Sequence, residues 1–439
     1  MGSCSIKTET IQKEPIKSIP IKPKSPETKQ EKSLSKDLSS QDSKQIPKQD
    51  TDRPQEKNPQ NPPTEDDVIH ILPHANELKR RSTKKKLTVL STNDDAELSK
   101  EFERELSFVR QKSIGKKEQG SLIIIKNLIT FTGQISSKTQ SEFEDKLMVI
   151  EGDDVKREHL LDHGLWVSCK KGLKPESPNQ DDFVVVIEDS SVLLGVFDGH
   201  GTHGHEVSNF LHKAFPRTLI NSIYWEERPD YALAETFPSV HNELVSYCSK
   251  NPNLFDCTLS GSTATVIYTR DKKIYAAHTG DSRAVLGRRI KGKITAVDLT
   301  RDHKPTLEDE NQRINRMGGE VRKLDNDIPY RVFFKGKHYP GIAMSRTIGD
   351  QLAQTVGVTC IPDVSVFNIE ENDEFIIACS DGVWEFISSQ EAVEEISRHN
   401  NPRTAAENLA TLAWNYWIKY EEDVVDDITV VLAYLKNQN

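Results

Sequence analysis

Several apolar, strand-favouring runs in this chain end in an acidic residue or begin from one. A single Asp-Gly pair after a strand usually marks a tight turn, because both residues tolerate the backbone angles that such a turn needs. Here the pattern recurs, and acids at the ends of neighbouring strands would repel each other unless a cation neutralised them. The sequence therefore predicts a carboxylate-lined metal site. Its acids are Asp181, Asp198, Asp281, Asp381 and Asp426.

All candidate ligands in these turns are oxygens, and they include the carbonyl of Gly199. Oxygen ligands without thiolate or imidazole favour Mg²⁺ or Mn²⁺ over Zn²⁺. Two such ions, held roughly 3.5 to 4 Å apart, would lower the pKa of a bridging water and supply hydroxide for in-line attack on phosphorus. This chemistry needs no covalent enzyme intermediate.

A histidine follows the first aspartate-glycine pair. His200 is placed two residues after Asp198, and it is the candidate acid that protonates a leaving alkoxide. The alternative is a structural histidine that caps the turn. His203 and His205 raise the question of a zinc site with His200, but their spacing in a glycine-rich loop suits one tetrahedral site poorly.

The N-terminal part of the chain has the composition of a segment that cannot fold alone. No aromatic residue precedes Phe102, and ten of the 21 prolines lie in the first 73 residues among Lys, Gln, Ser and Glu. Such a segment buries too little apolar surface to offset the entropy of ordering. We therefore predict a long disordered N-terminal extension over residues 1–92, followed by a partly helical lead-in of unknown role over residues 93–155.

The charge is distributed unevenly. The chain has a net charge of −10, whereas residues 1–92 carry 18 basic and 13 acidic side chains. The remainder is therefore strongly acidic, at −15. Nucleic-acid binding needs clustered positive charge, so we expect no nucleic-acid partner. An acidic body suits a protein that binds cations.

The cysteines and the apolar runs bear on location. Six scattered cysteines indicate neither a zinc knuckle nor a disulfide framework, so reduced thiols in the cytoplasm are expected, and a nuclear location stays open. No run is long enough to span a membrane, and no signal peptide follows Met1. Gly2 and Cys4 leave membrane association by N-terminal acylation open, although Ile6 departs from the myristoylation pattern.

Two segments of the N-terminal third carry further signals. The basic cluster at residues 79–86 is interpreted as a solvated run, with a nuclear signal, a lipid contact or a kinase target at Ser82 as alternatives. Residues 94–111 have helical periodicity. Residues 121–132 include an apolar run, predicted as a short strand or a core plug.

From residue 165 the pattern changes to alternating strands and amphipathic helices. The strands include hairpin-like pairs such as 262–269 with 273–278, which predict antiparallel sheets. Helices are predicted at 204–223, 231–249, 306–317, 389–399 and 402–420. The fold class is therefore α+β, a layered domain of roughly 270 to 280 residues.

The segment Phe197-Asp198-Gly199-His200-Gly201 resembles the signature of the metal-dependent serine/threonine protein phosphatases of type 2C. Further matching segments follow in that family's order between residues 165 and 435, and nothing before residue 155 is covered. They are Gly261–Ala264, Gly280–Ala284, Arg301–Pro305, Met344–Asp350, Ser380–Glu385 and Asp426–Thr429. The resemblance implies a four-layer sandwich of two antiparallel β-sheets flanked by helices, with a catalytic domain over residues 156–439.

The resemblance also implies roles for individual residues. Asp198 would bridge two Mg²⁺ or Mn²⁺ ions, and the Gly199 carbonyl would bind the first ion. Asp381 and Asp426 would bind the second ion, and Asp181 would act through water. A weaker third ion would involve Asp281 and Glu385 together with Asp381.

Two positions depart from the family pattern. Gln180 stands where the family has an acid, which removes one charge from the first site. The arginine expected upstream to bind substrate phosphate is missing, so Lys170, Lys171 or Lys174 must serve instead. A lysine offers a point charge where arginine offers a two-pronged contact, which weakens phosphate binding.

Two functions from different classes remain at this stage. The first is a protein phosphatase, expected as a monomer, that hydrolyses phosphoserine and phosphothreonine in phosphoprotein substrates. The second is a catalytically silent scaffold with this fold and a binding tail. The presence of Asp198, Asp381 and Asp426 favours the enzyme. A hydrolase of small phosphate esters is a third, weaker alternative.

Overall fold

The computed structural model describes residues 128–435, apart from 137–139, 153, 175–176 and 326–328, together with the backbone of Ile69–His70. The predicted disordered tail otherwise lies outside the described residues. So do the basic cluster, the predicted helix at 94–111, the acylation candidates Gly2 and Cys4, and most of the apolar run at 121–132.

Eighteen strands and eight helices are found in the described residues. The strands are β1 (Ile69–His70), β2 (Ile129–Gly133), β3 (Met148–Glu151), β4 (Leu165–Lys170), β5 (Asp181–Glu188), β6 (Ser191–His200), β7 (Gly261–Ser262), β8 (Ala264–Arg270), β9 (Lys273–Thr279), β10 (Arg283–Ile290), β11 (Lys293–Asp298), β12 (Gly319–Lys323), β13 (Tyr330–Phe334), β14 (Pro340–Ile342), β15 (Ile348–Gly349), β16 (Asp363–Asn368), β17 (Asp373–Cys379) and β18 (Ile428–Tyr434). The helices are α1 (His159–Asp162), α2 (Gly204–Ile220), α3 (Pro229–Lys250), α4 (Glu308–Arg316), α5 (Gln351–Gln354), α6 (Asp381–Trp384), α7 (Ser389–Ser397) and α8 (Pro402–Glu421).

Two antiparallel sheets form the centre of the fold. The first has the order β1-β16-β9-β8-β6-β5-β2-β3, with β7 and β15 attached beside β6. The second has the order β11-β10-β17-β18-β4. A small third sheet, β12-β13-β14, is formed by the segment that follows α4. The antiparallel sheets predicted from the hairpin pattern are confirmed.

Side chains of one strand divide between two layers. Along β5, Phe183 and Val185 lie in the cluster between the two sheets, whereas Val184 and Val186 pack against α2 and α3. Successive side chains of a strand point to opposite faces, so a strand buried on both sides must be apolar at every position. α7 and α8 cover the outer face of the second sheet. The result is the predicted order of four layers, helix–sheet–sheet–helix.

The folded part begins earlier than the predicted domain boundary at residue 156. β2 pairs with both β3 and β5, and Phe131 is fully buried between the sheets. Residues 129–151 therefore extend the first sheet. β2 overlaps the range 121–132, where a short strand or a core plug was predicted. β3 was not predicted, because it is short and half-exposed at the edge of the sheet.

None of the helices in the described residues is both long and apolar enough to cross a lipid bilayer. The five cysteines in this part of the chain are buried free thiols.

Candidate active site

The pairing of strands brings the predicted acids to one end of the two sheets. Asp181 and Asp198 face each other in the register of β5 and β6. Asp381 follows the end of β17, and Asp426 lies two residues before the neighbouring strand β18. Asp281 lies in the short connection between β9 and β10. The strand-end pattern in the sequence thus corresponds to one cluster in the structure.

Burial and neighbouring acids raise the pKa values of three of these carboxylates. Burial, followed by the charge of Asp381, raises the pKa of Asp198 well above its usual range. Burial and the charge of Asp281 raise the pKa of Asp381 to about 8, although its side chain is hydrogen-bonded to Asp198. Burial and the charge of Asp427 raise the pKa of Asp181 to about 7. The cluster is therefore short of positive charge.

Two lysines supply part of that charge. The ammonium of Lys174 pairs with Asp426, and that of Lys304 lies 2.5 Å from Asp281. Burial alone would lower the pKa of Lys304, but the carboxylate of Asp281 outweighs burial and raises it. The other oxygen of Asp281, Oδ1, is buried without a hydrogen-bond partner among the residues that the structure describes. Lys304 lies in one of the motifs noted in the sequence, but its role was not predicted.

Asp427, next to the cluster, accepts two backbone hydrogen bonds that hold neighbouring segments in place. Its Oδ1 accepts the backbone N–H of Gly172 and its Oδ2 accepts that of Gln180, both at 2.8 Å. The carboxylate thereby ties the segments that carry Lys174 and Asp181 to the start of β18. Asp427 lies within the matching segment Asp426–Thr429, but its role was not predicted.

Gly199 is required at its position by close backbone approach. A Cβ atom there would lie 2.2 Å from the carbonyl oxygen of Gly204 and 2.6 Å from that of Gln180. Its N–H donates to the Gln180 carbonyl at 3.1 Å. Since any larger residue would displace the loop, the glycine fixes where the backbone after Asp198 runs.

His200 forms a pair with an acid that is distant in the sequence. Its Nε2 lies 2.7 Å from Oδ2 of Asp350. Burial would lower the pKa of His200, but the charge of Asp350 more than offsets this and raises it. Asp350 has a left-handed backbone, with φ of 47°, which is strained for a residue with a side chain. A Cβ on Gly261 would lie only 2.0 Å from the same Asp350 oxygen. The His200–Asp350 pair thus depends on three separate segments of the chain, which carry His200, Gly261 and Asp350.

Comparison with known proteins identifies the family of the chain. The model of the family Protein phosphatase 2C matches residues 176–419, more than half of the chain. The chain belongs to the protein phosphatase 2C family. The resemblance noted in the sequence is therefore confirmed.

Relatives include two plant members of the protein phosphatase 2C family. "Probable protein phosphatase 2C 64" of Oryza sativa subsp. japonica is 37% identical over 255 residues, which are 56% of this chain and 59% of the rice protein. "Probable protein phosphatase 2C 35" of Arabidopsis thaliana is 31% identical over 296 residues, 62% of this chain and 83% of that protein.

A crystal structure of serine-threonine phosphatase 2C from Toxoplasma gondii has a similar fold. The TM-score is 0.54 at 22% identity, and the match covers 62% of this chain and 94% of that chain. This likeness supports the layered α+β architecture described above.

The three candidate phosphate-binding lysines of this chain lie in different surroundings. Lys174 lies against Asp426 of the acid cluster. Lys170 pairs with Asp145 at 3.0 Å and stacks over Phe143, and Lys171 is buried. Lys174 is therefore the best placed of the three to contact a substrate phosphate at the cluster.

The other predicted positions are also located. Gln180 donates from Nε2 to the carbonyl of Gly201 at 2.7 Å, so it braces the loop after His200. Glu385 is exposed, one helical turn after Asp381, whose carbonyl accepts its N–H at 2.9 Å.

The zinc alternative finds little support in the geometry. His205 Nδ1 lies 3.0 Å and His203 Nδ1 lies 3.6 Å from the carboxylate of Glu206, whereas His200 is paired with Asp350. His203 and His205 thus share the neighbour Glu206, whereas His200 has a different acidic partner, so the three histidines do not form one centre.

A second group of potential ligands, His278, His303 and Asp363, is explained by hydrogen bonding. The two rings stack in parallel, with centroids 4.3 Å apart and an interplanar angle of 7°. Imidazole lone pairs lie in the ring plane, so parallel stacked rings do not converge on one ion. Asp363 is moreover paired with Arg346 at 2.7 Å.

The acid cluster fits the divalent ions that the family implies. Its donors are carboxylate and carbonyl oxygens, which suit Mg²⁺ or Mn²⁺. The raised pKa values of Asp198 and Asp381 and the orphaned Oδ1 of Asp281 indicate negative charge in excess of what the two lysines neutralise. The residues present therefore fit a divalent-metal centre.

Proposed function

We propose that this chain is a Mg²⁺- or Mn²⁺-dependent protein phosphatase that hydrolyses phosphoserine and phosphothreonine. The observation that carries the proposal is the convergence of Asp198, Asp381 and Asp426 on one rim, where burial and the neighbouring acids raise the pKa values of Asp198 and Asp381. Membership of the protein phosphatase 2C family favours phosphoprotein as the substrate over small phosphate esters.

The acids have distinct roles in this proposal. Asp198 and the Gly199 carbonyl would hold the first ion, and Asp198, Asp381 and Asp426 the second. Asp181 would act through water, and Asp281 with Glu385 would contribute to a weaker third site. Bound ions would supply activation of water for direct attack on phosphorus, so that the chain needs no nucleophilic side chain.

His200 would protonate the leaving oxygen of the serine or threonine. Burial lowers its pKa, but the charge of Asp350 outweighs burial and raises it, which favours the protonated imidazole that can act as an acid. The contact at Nε2 orients the ring, and Asp350 acts as a positioning residue. Lys174 would contact the substrate phosphate beside Asp426, because an ammonium can serve as a point charge for phosphate.

The alternative is a catalytically silent scaffold that binds partners through its tail. A complete set of metal-binding acids favours activity, because a scaffold has no need for buried, mutually repelling carboxylates. The cytoplasmic location, the monomeric state and the acylation of Gly2 and Cys4 remain predictions.

The test is phosphate release from a phosphothreonine peptide by the full chain, with Mn²⁺ or with EDTA. We expect wild-type activity with Mn²⁺, none with EDTA, and loss of activity in Asp381→Asn. Asp423→Asn changes an exposed aspartate and is the matched control. A wild-type protein that releases no phosphate with Mn²⁺ would support the scaffold.

A further inference from the structure

Residues 143–147, here called the brace, run along the end of β4. The N–H of Phe143 donates to the carbonyl of Lys171 at 2.9 Å, and the N–H of Lys171 donates to the carbonyl of Glu144 at 3.1 Å. The N–H of Lys146 donates to the carbonyl of Cys169 at 2.7 Å. The brace lies between β2 and β3, before the part of the chain that the family model matches.

The side chain of Lys146 is completely buried in the first sheet, next to the active site. Its ammonium donates to the backbone carbonyl of Asp181 and lies 3.2 Å from Oδ2 of Asp182. Nδ1 of His212, on α2, lies 3.0 Å from the same oxygen. Lys146 thus links the brace to the first two residues of β5.

Such a buried charge needs a specific reason, because lysine is almost never fully buried unless it is paired. Space for the pair is provided by Gly133, where a Cβ would lie 2.3 Å from Oδ1 of Asp182 and 2.9 Å from Cδ of Lys146. Burial would lower the pKa of Lys146, but the charge of Asp182 outweighs it and raises the pKa, so both groups are ionised. The site is therefore built around this contact.

The side chain of Asp181 is held by two hydroxyl groups. Its Oδ2 accepts hydrogen bonds from the hydroxyls of Ser380 and Thr429, each at 2.7 Å. These two residues belong to the second sheet and its extension, whereas the ammonium of Lys146 contacts the backbone carbonyl of Asp181. Asp181, which faces Asp198, is thereby held at both its side chain and its backbone.

We propose that Lys146 is a positioning residue for the metal centre, because it fixes the start of β5 and thereby the carboxylates of Asp181 and Asp198. The inference rests on the proposed function, since this placement matters only if the acids bind ions. It also makes the brace a part of the active-site framework, although the brace precedes the family match.

The test uses the full chain with the double substitution Lys146→Met and Asp182→Asn, which removes both buried charges together. The asparagine side chain would keep an oxygen for the N–H of Phe183, which donates to Oδ1 of Asp182 at 2.9 Å. Folding is checked by circular dichroism and thermal unfolding in EDTA. Mn²⁺ binding is then measured by calorimetry and by electron paramagnetic resonance of the bound ion.

The matched control is Arg288→Met with Asp373→Asn. This pair is largely buried, with Nε of Arg288 2.6 Å from Oδ1 of Asp373. Asp373 begins β17, so the pair lies at the end of that strand that is remote from Asp381. We expect the Lys146 variant to bind Mn²⁺ at least fivefold more weakly than wild type, with an altered resonance spectrum. The control should bind as wild type does.

Equal Mn²⁺ affinity in the Lys146 variant and the wild type would overturn the inference and leave the proposed function standing. An equal loss in both double variants would also overturn it, because the effect would then follow general stability. A wild-type chain that binds no Mn²⁺ would instead overturn the metal centre itself, and the inference with it.

Discussion

Replacing Asp381 by asparagine should stabilise the metal-free protein while it abolishes metal-dependent activity. Burial and the neighbouring acids raise the pKa of Asp381 from 3.8 to about 8. The folded protein therefore takes up a proton that the unfolded chain does not hold between these pH values. Stability of the metal-free protein must then fall as the pH rises through this window.

The expected stabilisation of the metal-free protein by Asp381→Asn follows from the same pKa shift. At pH 7.5 an acid with this pKa shift lowers the free energy of unfolding by about 5 kcal/mol, at 1.36 kcal/mol for each pKa unit. An asparagine carries no charge but must still be buried as a polar amide, which costs roughly 1–3 kcal/mol. The net gain is therefore about 2–4 kcal/mol, or roughly 3–6 °C in Tm for a domain of about 300 residues.

The assay is thermal unfolding of wild type, Asp381→Asn and the exposed control Asp423→Asn, in EDTA and in Mn²⁺. In EDTA at pH 7.5 the Asp381→Asn variant should have a higher Tm than wild type. The difference in Tm should be smaller at pH 5. Mn²⁺ should raise the Tm of wild type but not that of the variant. A variant that melts below wild type in EDTA at pH 7.5 would refute the reasoning.

Further predictions concern the backbone, the acid and the lysine of the site. Gly199→Ala should cost about 1–3 kcal/mol of stability by overpacking against two carbonyls, and it should lower activity; unchanged thermal unfolding would contradict this. His200→Asn should lower kcat toward a phosphoserine peptide about 10²- to 10⁴-fold but much less toward p-nitrophenyl phosphate, whose leaving group needs no proton. Asp350→Asn should lower the pKa of His200 and move the alkaline limb of kcat to lower pH; an unmoved limb would argue against the pair. Lys174→Met should raise KM for phosphopeptide more than it lowers kcat, and equal effects on the two constants would count against a phosphate contact.

The sequence predicted the strands and helices of the central layers well, because buried strands are apolar at every position and the helices are long and amphipathic. The helix predicted at 306–317 is observed as α4 (Glu308–Arg316), and that at 402–420 as α8. For the small sheet β12-β13-β14, the sequence predicted only a strand at 320–322, which is observed as β12. The strands β13 and β14 are short and flanked by polar residues, so they lack a clear alternation.

Local sequence identified the acids but not their partners. Asp198 and Asp381 stand at strand ends and are visible in the pattern. The pairs His200–Asp350 and Lys304–Asp281 join residues that are distant in the sequence, so no spacing rule reveals them. Lys146 lies in a segment without strong periodicity, and its role depends on burial that only the folded structure shows.

The central claim is that Asp198, Asp381 and Asp426 together hold a pair of divalent ions. The most direct test is the number of Mn²⁺ ions bound per chain at equilibrium, measured by dialysis for wild type and for Asp198→Asn. Two tightly held ions in the wild type, with a loss of tight binding in the variant, is the predicted result. A wild type that retains no ion, or a variant that binds as many as wild type, would contradict the account.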